Sequence, residues 1–150
     1  MSNLEKQIQT DLMSAMKEKN WYKLGALRSV KTAIQNEKTN GSFHELTDAE
    51  IIKIIQKQIK QRTESETIYR SAGRNELADK EFGEKEVLEQ YVPQVLSHDK
   101  LVEAINTIIN DLNAQTIKDM GKVMGELNKR FFGQVDGKMA STIIKEKLTS

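Results

Sequence analysis

The sequence predicts an all-α protein built as two lobes. Apolar residues recur at spacings of three and four along nearly the whole chain, and one proline and eight glycines leave few interruptions. Small polar residues also stand where helix N-caps are needed. At 150 residues such a chain can bury a real but modest core. We expect an N-terminal four-helix lobe over residues 1–96 and a small C-terminal three-helix lobe over residues 97–150.

Ser2 with Glu5 has capping-box spacing, and Leu4, Ile8, Leu12 and Ala15/Met16 then line one face of a first helix that Asn20 ends. Leu24, Leu27, Val30 and Ile34 define a second helix, closed by the turn dipeptide Asn40-Gly41. Thr47 and Glu50 repeat the capping-box spacing and open a long third helix through Ile51, Ile52, Ile55 and Ile59 toward Tyr69, with Ala72-Gly73 as its stop. A fourth helix runs from about Asn75 toward Leu88, Tyr91 and Val92. The single proline, Pro93, follows it, and Ser97 is a good N-cap for what comes next. Leu101, Ile105, Ile108 and Leu112 mark the fifth helix. Thr116 is expected to cap a sixth with the stripe Ile117, Met120, Met124, Leu127 and Phe131, and Gly133 to stop it. Asp136 can cap a last helix whose buried side is Ala140, Ile143, Ile144 and Leu148.

Composition narrows the function classes. A formal net charge of +1 gives no global attraction to nucleic acid or anionic lipid, so such binding has to come from local patches. With no cysteine, disulfide scaffolds, thiolate nucleophiles and cysteine-held zinc are excluded, and a reducing cytosol fits. Neither a signal peptide nor a membrane span is read in the sequence, and a cytoplasmic location is expected.

The sequence shows no catalytic constellation. His44 and His98 stand 54 positions apart with no ligand-spaced partner, so no metal is expected. Gly121-Lys122 and Gly137-Lys138 lack the upstream glycine and the following Ser/Thr of a phosphate-binding loop, and no nucleotide cofactor is implied. The carboxylates between Glu76 and Glu89 read as a solvated helix face. No nucleophile-and-base pair emerges, and no cofactor is expected.

Two basic stripes carry more information. Lys53, Lys57 and Lys60 fall at i, i+4 and i+7 on the third helix, with Arg62 nearby, and make a cationic ridge or an ordinary solvated face. In the C-terminal lobe Lys118, Lys122, Gly125 and Lys129 fall at i, i+4, i+7 and i+11, with Gly121 between that edge and the apolar face. Each interior helix glycine costs about 1 kcal/mol relative to alanine, so a compensating contact is expected. Missing Cβ atoms let another backbone approach, and flanking lysines suit a phosphate chain; a neighbouring helix of the same lobe would equally fill the space.

The stretch Asp119-Met120-Gly121-Lys122-Val123-Met124-Gly125, followed by Gly133-Gln134-Val135-Asp136-Gly137, resembles the signature of the GatB/YqeY family. Arg28 to Ile34, Ile59 to Arg62, Ala72 to Leu77 and Glu89 to Pro93 look like YqeY-type segments in the same order, so the likeness spans nearly the whole chain. The resemblance implies a two-lobe helical fold similar to the helical and tail regions of the B subunit of the glutamine-dependent aspartyl/glutamyl-tRNA amidotransferase, whose tail holds tRNA. The family is associated with carbon-nitrogen ligase activity using glutamine as amido-nitrogen donor. Counterparts of the parts that carry that chemistry are not seen here. Gln134 and Val135 stand where family members often show Lys and Ala, which removes one positive charge from the loop.

Three functional expectations follow. The first is a stand-alone tail homologue that binds tRNA backbone through Lys118, Lys122 and Lys129, with Gly121, Gly125, Arg130 and Lys138 alongside. The second is a protein-interaction module in which the Gly121/Gly125 edge receives a helix from an amidotransferase or another translation protein. The third is an accessory role in glutamine-dependent amide transfer without turnover of its own, since no catalytic residue is assigned. Asp136 is expected to be a cap, not an acid catalyst.

Overall fold

A computed structural model describes residues 1–149, and all of its regular structure among these residues is helical. The helices are α1 (Asn3–Glu18), α2 (Trp21–Lys38), α3 (Asp48–Ser71), α4 (Asn75–Glu89), α5 (His98–Leu112), α6 (Met120–Arg130) and α7 (Gly137–Thr149), with one 3-10 turn at Ile117–Asp119. The chain divides into a unit Met1–Val92 and a second unit from Pro93 onward. Residues 93–96 thus join the second unit, not the first as expected. Leu96 explains this: its N–H donates to the Gln134 carbonyl at 2.8 Å and its side chain packs against the second core.

In the first unit Ile8, Leu12, Leu24, Leu27, Val30, Ile34, Ile51, Ile55 and Leu88 form the core. Ser2 caps α1 by accepting from the Glu5 N–H, yet the Glu5 side chain does not complete the expected box. It turns inward and accepts from Lys38 Nζ at 2.7 Å, both groups being buried. Glu45 also reaches Lys38, at 3.2 Å. The ammonium is held charged, its pKa raised chiefly by the Glu5 bond against the opposing cost of burial. Thr47 and Glu50 do form a full capping box at the start of α3.

The buried stripe of α3 is Ile51, Ile55, Gln58 and Arg62, whereas Ile52 is only half-buried. Arg62 is therefore no part of the cationic ridge. Its Nε donates to Glu84 Oε1 at 3.3 Å and its Nη1 to Gln58 Oε1 at 3.3 Å, while Gln58 Nε2 donates to the Ser29 carbonyl at 3.2 Å. Glu84 is likewise not on a solvated face, being 7% exposed. This ladder of polar groups joins α2, α3 and α4; Gly25 makes room for Glu84, and Gly83 makes room for the Tyr22 ring. A Cβ on Gly25 would lie 3.0 Å from Glu84 Oε2, and one on Gly83 would lie 2.7 Å from Cδ2 of the Tyr22 ring.

That second contact makes Gly83→Ala informative, because the added methyl forces the half-exposed Tyr22 ring off the α4 backbone. A loss of about 1–2 kcal/mol is expected from overpacking, read as an earlier urea midpoint. An unchanged midpoint would show that the ring moves without cost.

The second unit packs Leu101, Ile105 and Ile108 of α5 against Val123 and Leu127 of α6 and Ala140, Ile143, Ile144 and Leu148 of α7. Leu112 is exposed at 40%, because α5 ends there and Asn113 adopts φ 51°, the left-handed conformation that Asn tolerates.

Candidate nucleic-acid interface

The sixth helix starts later than its apolar spacing implies. Residues 117–119 form a tighter 3-10 turn, so Ile117 drops out of the stripe and is 43% exposed. Asp119 fixes the turn by accepting from the Gln115 N–H at 3.0 Å and the Thr116 N–H at 3.3 Å. Those two backbone donors, helped by the nearby Lys122 charge, hold its carboxyl below the usual carboxylate range. Within α6 the fully buried positions are Val123 and Leu127, and Met120 and Met124 lie partly buried beside them. The inward face is therefore rotated from the expected stripe.

That rotation decides where the glycines go. At about 100° per residue, Gly125 lies nearly opposite the mean direction of Val123 and Leu127, with Gly121 about 40° to one side. Both are exposed, and a Cβ at either would meet no atom within 4 Å. Among the described residues no other helix fills this face. Lys122 and Lys129 border it on one side, within about 20° of each other around the helix. Both are exposed, with no carboxylate within salt-bridge distance among the described residues. The outward side of α6 is thus bare backbone flanked by two ammonium groups.

The other expected contributors are placed differently. Lys118 is exposed on the 3-10 turn, off the helical register, and that turn packs against α7. Lys138 is exposed in the first turn of α7, which Asp136 caps by accepting from the Met139 N–H at 3.1 Å. Arg130 is engaged within the unit, its Nε donating to Glu126 at 2.8 Å and its Nη1 to Asp111 at 2.9 Å. Those two carboxylates, Glu126 first, raise its pKa further. Glu126 stands at i,i+4 spacing from Arg130 and could have been found by that spacing. Asp111 could not, because it lies 19 positions away on another helix.

In the first unit Lys53, Lys57 and Lys60 are exposed along α3. No helix among the described residues is long and apolar enough to cross a membrane, and no group of three His, Cys, Asp or Glu among them is placed to hold a metal ion.

Comparison with known proteins adds a family. Residues 5–148 match the family described as Yqey-like protein. Two curated fungal relatives carry the name "Altered inheritance of mitochondria protein 41, mitochondrial". The one from Pyrenophora tritici-repentis is 30% identical over 143 residues, covering 93% of this chain and 77% of the relative. The one from Clavispora lusitaniae is 27% identical over 124 residues, covering 81% of this chain and 72% of the relative.

Proposed function

Since the chain belongs to the YqeY-like family, we propose that it is a non-catalytic tRNA-binding protein whose second unit grips RNA backbone. The same reading makes it an accessory of glutamine-dependent amide-transfer (carbon-nitrogen ligase) machinery. The observation that supports this most is the open Gly121/Gly125 face of α6 with Lys122 and Lys129 along one border.

A phosphate chain can approach such a face closely, and the ammonium groups then replace its condensed counterions. Lys118 and Lys138 extend the positive field beyond the helix. Arg130 contributes less than its charge implies, because Asp111 and Glu126 already neutralise it. Recognition is of shape and not of base sequence, since stacking platforms are few: the chain has only eight aromatic residues. The cytoplasm is the compartment we assign. The mitochondrial names of the fungal relatives make a mitochondrial site the competing assignment, and tRNA is present in both.

Titrating deacylated tRNA at increasing salt tests the proposal. Two to three phosphate contacts predict that log affinity falls with log salt at a slope of about −2 to −3. Lys122→Glu is expected to weaken binding at low salt by about tenfold or more, since it both removes a contact and adds repulsion. A flat salt series, or unchanged affinity in that variant, overturns the RNA reading and leaves the bare face to a partner helix.

A further inference from the structure

The turn that follows α2 carries chemistry that the RNA reading does not use. Asn40 is the one asparagine in the chain that a glycine follows. Both residues are exposed, and Gly41 takes the left-handed conformation at φ 78°. Among the described residues neither the Asn40 carboxamide nor the Gly41 N–H has a hydrogen-bond partner, and no atom lies within 4 Å of where a Gly41 Cβ would stand.

We propose that Asn40 is a site of spontaneous deamidation whose isoaspartyl product loosens the turn between α2 and α3. The Gly41 nitrogen attacks Cγ of Asn40 and closes a five-membered succinimide; its proton goes to solvent, and the carboxamide nitrogen departs as ammonia. Water then opens the ring. Cleavage of the bond between the ring nitrogen and Cγ gives aspartate on an ordinary main chain. Cleavage at the main-chain carbonyl instead leaves the chain running through Cγ, which is isoaspartate. Water enters, ammonia leaves, and nothing is oxidised or reduced.

Ring closure needs a carboxamide free to turn, an N–H that no acceptor holds, and no side chain crowding the approach. Asn40 and Gly41 meet all three conditions. Asn113 also stands in a turn, at φ 51°, yet the Ala114 N–H after it is held by the Ile109 carbonyl at 3.0 Å. The Asn20 carboxamide is held too, accepting from the Lys23 N–H. Beyond Gly41 the turn is anchored on the end of α2: the His44 N–H donates to the Lys38 carbonyl at 3.1 Å, Glu45 reaches Lys38 Nζ at 3.2 Å, and Leu46 is buried. An isoaspartyl link adds one atom to the main chain between Asn40 and these contacts. Their register is then lost.

The test holds the full chain in warm neutral buffer and follows it by tryptic mass mapping. Cleavage after Lys38 and Lys53 releases residues 39–53, which contain no other asparagine or glutamine, so a mass gain there reports Asn40 alone. Two product peaks are expected, one of them a substrate for isoaspartyl methyltransferase, with no comparable gain in residues 101–118, which include Asn113. Asn40→Gln, whose ring would need six members, should stay unconverted. Each event takes the formal net charge from +1 to 0, so converted chains separate by ion exchange. They should unfold at lower urea than Asn40→Asp, which carries the same charge on an unaltered main chain. Three results overturn the proposal: no gain in residues 39–53, a gain seen in urea but absent from the folded chain, or converted chains as stable as Asn40→Asp.

Discussion

Replacing Glu84 with alanine is expected to cost the first unit about 3–5 kcal/mol, a large share of the roughly 5–15 kcal/mol that holds a domain folded. The Arg62 side chain is about 10% exposed and Glu84 provides its only carboxylate among the described residues, so the truncation leaves a guanidinium in the interior with one neutral partner, Gln58. Guanidinium stays charged at any ordinary pH, and the energy cannot be recovered by losing a proton. Removing both charges is a different change. Arg62→Leu/Glu84→Leu takes away the desolvation penalty together with the attraction, and such replacements of buried pairs are often neutral or better. The double variant should therefore regain most of the lost stability, with Gln58 keeping its bond to Ser29. Urea unfolding followed by circular dichroism reads both proteins. A single-variant loss below about 1 kcal/mol would mean that water reaches the pair in solution.

Gly121→Ala/Gly125→Ala is expected to separate stability from function. Because a Cβ at either position meets no other described residue within 4 Å, the change removes only the backbone freedom of glycine in a helix. A gain of about 1–2 kcal/mol follows, which in a unit of this size raises the unfolding midpoint by roughly 5–10 °C. The same two methyl groups stand where a phosphate chain would lie, so affinity for tRNA is expected to fall about tenfold or more while the lysines remain. Calorimetry and tRNA titration on one preparation give both numbers. Stability gained with affinity unchanged would show that the bare face is not the docking surface; no gain in stability would show that the face is already occupied.

Each variant probes a feature that differs in how far it could be read from the sequence. Signals that act within a few residues were legible. Ser2, Thr47 and Ser97 each cap a helix because their side chains reach an N–H three residues on, a contact internal to the segment; Asn20, read as the end of the first helix, is instead the N-cap of α2. The break near Pro93 and the cap at Asp136 are of the same kind. Misreadings arose where a local pattern competed with a distant partner. Glu5 has box spacing but spans 33 positions to Lys38, and Arg62 lies near the lysine ridge in sequence but spans 22 positions to Glu84.

The sequence alone therefore determined the helical class, the extent of most helices and the YqeY-like kinship, because periodicity and caps are properties of contiguous residues. Only the tertiary structure decided which way each helix is turned. Val123 and Leu127 face inward because α5 and α7 offer them an apolar surface, and that rotation carries Gly121, Gly125, Lys122 and Lys129 outward while Asp111 captures Arg130. A helix's own periodicity leaves its angular phase uncertain by a residue or so, and burial against its neighbours removes that freedom.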